Sequence, residues 1–130
     1  MSAYFSTDTP ATDSLHIVPG DDLPTVTLGP GITADVLLGV ALNISVVTLA
    51  PGAEAPVHTH AEEQMGYIVR GSCEFFDGTQ SARLEPGDTY HAPSGAPHGA
   101  RAYEDGCLII DVFSPPRSGI RELIEQATKV

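Results

Sequence analysis

Basic side chains are scarce in this chain. Six lysines and arginines stand against 17 aspartates and glutamates in 130 residues, a formal net charge of −11 at pH 7. A surface of that sign repels phosphate backbones and anionic headgroups, which argues against nucleic acid and membrane surfaces as partners. With so few cations, any that falls near a site is informative. Tryptophan is absent and cysteine occurs twice. Cys73 and Cys107 lie far apart, without a Cys-x-x-Cys spacing and among apolar neighbours, and read as two buried thiols. The first residues, Met1 to Asp8, hold no basic start and no long apolar run. No signal peptide or membrane span is visible there, so the expected compartment is the cytoplasm.

Glycine and proline are plentiful, 13 and 11, and they punctuate short alternating runs. Thr25–Leu28, Thr33–Gly39, Leu42–Leu49, Gln64–Arg70, Ser72–Phe76, Ser81–Leu84, Asp88–Ala92, His98–Tyr103 and Gly106–Phe113 all read as strands, with Leu15–Val18 as a shorter one. Asp77-Gly78 is a hairpin turn signal. Many short strands with turn signals between them predict an all-β sandwich or barrel. Only Ser118–Lys129 has helical spacing. Its Ile120, Leu123, Ile124 and Ala127 form one apolar stripe, and Ser118 stands where a cap would. Residues 1–14, rich in Ser, Thr, Asp and Pro, read as a flexible N-terminal arm, and residues 15–130 as a single domain.

The most chemical stretch is Gly52 to Gly71. His58 and His60 are two apart, so an extended backbone points both imidazoles the same way. After Ala61-Glu62-Glu63, long enough only for a tight turn, a hairpin would bring Gln64 back beside them. The two glutamates read as a solvated turn. A further ligand comes from Gly87 to His98, where Pro93, Gly95 and Pro97 set a turn that delivers His98. Imidazoles gathered on one face are a common start for a divalent-metal site.

Together the two stretches resemble the paired motifs of the cupin family. Gly52, His58, His60, Gln64 and Gly71 fall on the first motif, and Gly87, Pro93, Gly95 and His98 on the second. Gln64 replaces the usual Glu and Ala102 the usual Asn. A neutral amide leaves the metal its full double charge, a stronger Lewis acid. The resemblance implies a double-stranded β-helix, a jelly-roll-like barrel with a short C-terminal α-helix. It also implies a homodimer.

Two side chains beyond the metal set stand out. Alternation puts Cys107, Ile109, Asp111 and Phe113 on one face of their strand. An acid in that apolar company faces either solvent or the cavity, and the cavity is the favoured reading. Ser114-Pro115-Pro116 stiffens the approach to Arg117, whose guanidinium suits a substrate carboxylate or a surface ion pair; spacing alone favours neither. His91 reads as a fifth ligand, a proton carrier or an edge histidine. Gly66 leaves room beside the metal.

Glu63 to Tyr67 and Asp111 to Arg117 are also similar to the KdgF-type cupins of pectin and alginate breakdown. That likeness implies a His58, His60, Gln64, His98 metal set with Asp111, Phe113 and Arg117 beyond it. Asp111 and Arg117 are the expected catalytic residues, and Phe113, Gly66, Tyr67 and His91 are the expected pocket. The implied cofactor is one divalent ion: Zn, Fe, Ni, Co or Mn. The implied activity is isomerisation or tautomerisation, with ring opening, of a small oxygenated acid such as a 4,5-unsaturated uronate. The family resemblance leaves other readings open: a biosynthetic, polyketide cyclase-like cupin, an Fe(II) dioxygenase, and a small-molecule-binding cupin without catalysis.

Overall fold

Two long strands, β5 (Glu63–Phe76) and β8 (His98–Ser114), pair antiparallel along their whole length and carry the rest of the chain. The computed structural model describes residues 14–128. Around this ribbon stand β1 (Thr25–Gly29), β2 (Ile32–Leu38), β3 (Asn43–Leu49), β4 (Glu54–His58), β6 (Ser81–Leu84) and β7 (Thr89–Ala92), with α1 (Ile120–Thr128) at the end. Hydrogen bonding runs β1-β2-β3-β8-β5-β6, with β4 added to β8 and β7 to β5. This is the expected all-β barrel with one C-terminal helix. Among the described residues, no helix is long and apolar enough to cross a membrane. The arm expected over 1–14 lies, apart from Ser14, outside the described residues.

The ribbon bends where sequence reading breaks it. The register runs from Glu63↔Ser114 to Gly71↔Cys107, shifts, and resumes at Cys73↔Ala102. Gly71 and Gly106 sit at the bend with φ of 75° and 71°. A Cβ on Gly71 would overlap the Gly106 carbonyl, so both the dihedral and the approach require glycine. The four expected strands Gln64–Arg70, Ser72–Phe76, His98–Tyr103 and Gly106–Phe113 are therefore two bent ones. Each lines two walls of the barrel.

Period-two alternation fills the inside. Ile32, Ala34 and Val36 of β2, Val47 and Leu49 of β3, Ile68 of β5 and Ile109 of β8 are buried. Each of the larger of these side chains, Val, Leu and Ile, contributes about 1.5–3 kcal/mol on leaving water. Cys73 and Cys107, far apart in sequence, are both buried in this core. Helix α1 seats Ile120 in the same core, with Leu123 and Ile124 packed against it, while Ala127 stays exposed.

Three local expectations are corrected. Leu15–Val18 forms no strand. His58 and Gln64 do not share a hairpin: β4 pairs with β8, placing His58 opposite His98, while β5 pairs with β6, β7 and β8. Ser118 lies two residues before α1, and its hydroxyl donates to Glu62 rather than to the helix.

Candidate metal centre

Two strand ends and the loop after one of them deliver the imidazoles. His58 closes β4, His98 opens β8 opposite it, and His60 follows two residues after β4. Each Nδ1 lies against a backbone carbonyl: Pro56 at 2.8 Å for His58, Glu62 at 2.9 Å for His60, Ala96 at 2.9 Å for His98. A carbonyl only accepts, so each Nδ1 carries the proton and each Nε2 is a lone pair. The three rings thus share one tautomer, fixed by the chain around them.

The lone pairs then meet each other. His60 Nε2 is 3.2 Å from His98 Nε2 and 2.9 Å from Gln64 Oε1. The ligand atoms of all three histidines lie within 4.8 Å of one another. With the protons on Nδ1, no hydrogen lies between these acceptors, and a cation would relieve their mutual repulsion. Protonating a ring is opposed at His98, which burial, and then its neighbours His58 and His60, hold below the usual histidine range. His58, His60 and His98 could therefore hold a metal ion, and three imidazoles suit a first-row divalent one.

Behind Gln64 runs a directed chain of hydrogen bonds. Gln64 Nε2 donates to the Tyr90 hydroxyl at 2.6 Å, and that hydroxyl donates to Asp111 Oδ1. Asp111 is buried and faces the barrel interior. Burial pushes its carboxyl up to about 7, against the hydrogen bonds from Tyr90 and Gln64 that favour the charged form. Burial, and then the Asp111 charge, push the Tyr90 phenol well above its ordinary value, so it stays a donor.

These groups open onto a cavity of about 520 Å³. Its polar side is made by His58, Gln64, His98, Tyr90, Asp111, Ser45 and Arg117, and much of its other wall by Ile32, Val47, Leu49, Phe75 and Ile109. Phe113 also lines it, its ring centroid 5.8 Å from that of His60. The Arg117 backbone N–H donates to Asn43 Oδ1 at 2.8 Å, and its guanidinium lies 3.9 Å from Glu62 Oε1.

Two expected pocket residues are elsewhere. Tyr67 is 48% exposed, on the outer face with Met65 and Val69, because counting by two from Gln64 puts 66 and 68 inside. His91 also faces out, where its Nε2 meets Glu63 Oε2 at 2.7 Å; it is no ligand. Gly66 faces inward, but the room it leaves is filled by Tyr90 and Asp111. Two residues were missed. Tyr90 follows from alternation once His91 is placed outside. Glu62, expected in a solvated turn, is 4% exposed, and no pattern in the sequence marks it.

The cupin domain family matches residues 45–113, and the chain belongs to the cupin family. Within it, the chain is 33% identical over 100 residues to the pectin degradation protein KdgF of Dickeya dadantii, covering 75% of this chain and 91% of that protein. The solved structure of KdgF from Halomonas sp. superposes with a TM-score of 0.75 at 32% identity, covering 82% of this chain and 99% of that one. A Bacillus subtilis oxalate decarboxylase structure, described with Mn(II) centres, gives a TM-score of 0.64 at 26% identity, covering 82% of this chain and 32% of that one.

Proposed function

We propose that this chain is a metal-dependent isomerase that moves a proton on a small oxygenated acid, with ring opening of a 4,5-unsaturated uronate as the first reaction to test. The observation that carries this reading is a cavity lined by His58, Gln64, His98 and a buried carboxylate, with His60 Nε2 converging on Gln64 and His98. A divalent ion bound there would polarise a carbonyl or enolate oxygen. Asp111 takes and returns the substrate proton, its raised carboxyl being close to the working range of a general base. Tyr90, hydrogen-bonded to Asp111, holds that carboxylate in place. Arg117 binds the acid group through paired N–H donors, and Phe113 forms a flat wall beside the reacting end. The apolar far wall keeps water from the exchanged proton. The likeness to KdgF supports uronates as the substrate class.

The cytoplasm is the proposed compartment and a homodimer the proposed assembly. Met65, Tyr67 and Val69 make an exposed apolar row on the outer face of β5, the kind of patch that marks a protein contact. Light scattering on eluting protein would return a monomer mass if the assembly is wrong.

The activity test is proton NMR of a 4,5-unsaturated galacturonate with Zn-, Mn-, Ni-, Co- or Fe-loaded protein. Faster conversion of the cyclic to the open keto form supports the reading. No acceleration with any of the five ions rules out this substrate. Oxygen uptake by the iron-loaded protein would move it to the oxygenase class.

A further inference from the structure

Tyr90, Gly66 and Asp111 form one row across three strands. Gly66 of β5 stands opposite Tyr90 of β7 on one side and Asp111 of β8 on the other. A Cβ on Gly66 would lie 2.6 Å from Asp111 Oδ1 and closer still to the Tyr90 ring, a distance no side chain tolerates. The glycine is thus the gap through which a phenol on β7 reaches a carboxylate two strands away. Phe75 packs on the same ring, centroid to centroid 4.4 Å, and fixes it from the core side.

We propose that Tyr90 is a positioning residue that sets which end of the Gln64 amide faces the three histidines, and that Gly66 exists to admit it. This rests on the reading of Gln64 as a metal ligand. The reasoning is directional. A side-chain amide has a donor end and an acceptor end of nearly equal size, and only Oε1 can meet a cation. A free hydroxyl could bond either end, so by itself it chooses nothing. Here its single proton is committed to Asp111 Oδ1, and toward Gln64 the oxygen can only accept. It therefore takes Nε2–H, at 2.6 Å, and turns Oε1 to His60 at 2.9 Å. Asp111, reading through Tyr90, fixes an amide flip in the metal site.

The test is Zn²⁺ affinity of the full chain, measured by competition with a chromophoric chelator. Tyr90→Phe keeps the ring and removes the hydroxyl. Affinity is expected to fall about 10- to 100-fold, the usual effect of losing a group that orients a ligand. In a Gln64→Glu background the same change should move affinity less than about threefold, because a carboxylate has two equivalent oxygens and no flip to set. Gly66→Ala, which drives the ring away without removing its hydroxyl, should weaken Zn²⁺ binding as Tyr90→Phe does and gives the answer if Tyr90→Phe does not fold. Wild-type affinity in either folded variant, or an equal loss in both backgrounds, overturns the proposal. Gln64→Ala separates the two ideas: unchanged affinity there removes Gln64 from the ligand set. A loss there, beside a neutral Tyr90→Phe, removes Tyr90 alone.

Discussion

Glu62 and Ser118, 56 positions apart, are joined by two hydrogen bonds: the Ser118 backbone N–H and hydroxyl both donate to Glu62 Oε2, at 2.8 and 2.6 Å. Those bonds, the hydroxyl's first, outweigh burial and hold the carboxyl at about 2. Its Oε1 has no hydrogen-bond partner among the described residues and lies 3.3 Å from His60 Nδ1 and 3.9 Å from the Arg117 guanidinium. With Asn43 holding the Arg117 N–H, the Arg117–Ser118 segment is fixed from two sides. Glu62→Ala strands the Ser118 donors and is expected to cost about 1–3 kcal/mol, read by urea unfolding. Unchanged stability would mean that water replaces the carboxylate at no loss.

Arg117→Lys keeps the charge and loses the planar fork. If Arg117 binds the substrate acid in the ground state and the transition state alike, KM should rise about tenfold or more with kcat little changed. Steady-state kinetics on the uronate decide this. A fall in kcat at constant KM would instead place the guanidinium against charge that develops during reaction.

The barrel was legible because its determinants are local. Alternation marks nearly every strand, and the His58, His60, Gln64 and His98 spacing marks the site. Pairing is not local. Nothing near His58 says that its strand partner is His98, forty positions on, so the expected hairpin with Gln64 fails. Gly71 and Gly106 read as strand ends since glycine is a breaker; only the pairing of both bends shows one continuous ribbon. Tyr67 was a different error. Its own alternation from Gln64 puts it on the outer face, and the expected pocket included it against that count. Glu62 had no local signal, for what buries it is Ser118 at the other end of the domain.

The turn between β5 and β6 gives a pH prediction. Asp77 Oδ1 accepts from Thr79 N, Thr79 Oγ1 and Gln80 N, each at 2.9 Å. These bonds, the Thr79 backbone N–H first, hold its carboxyl well below the usual range. A folded pKa below the unfolded one means stability that is present above the unfolded value, about 3.9, and lost as pH falls through the folded one. The difference in unfolding free energy between wild type and Asp77→Ala should be present at pH 7 and shrink below about pH 4. A gap that stays constant down to pH 2 would mean that the turn does not depend on the charge.

Asp111→Asn is the sharpest probe of the proposed chemistry. The side chain is buried, faces the cavity and accepts from Tyr90. Asparagine has the same shape, and with its Oδ1 toward that hydroxyl it still accepts as Asp111 does, so neither the barrel nor the Tyr90–Gln64 contact should change. What is lost is the ability to take a proton. A positioned base contributes on the order of 10²–10⁴-fold, so turnover should fall at least about 10²-fold, with melting temperature and bound metal at wild-type levels. Metal content by elemental analysis and kcat on the same preparation separate the outcomes. Normal turnover would mean that proton transfer needs no side chain at 111. Loss of metal together with activity would mean that asparagine presents its amide N–H to Tyr90 and releases the Gln64 flip, and the fall in turnover would then trace to the metal and not to a missing base.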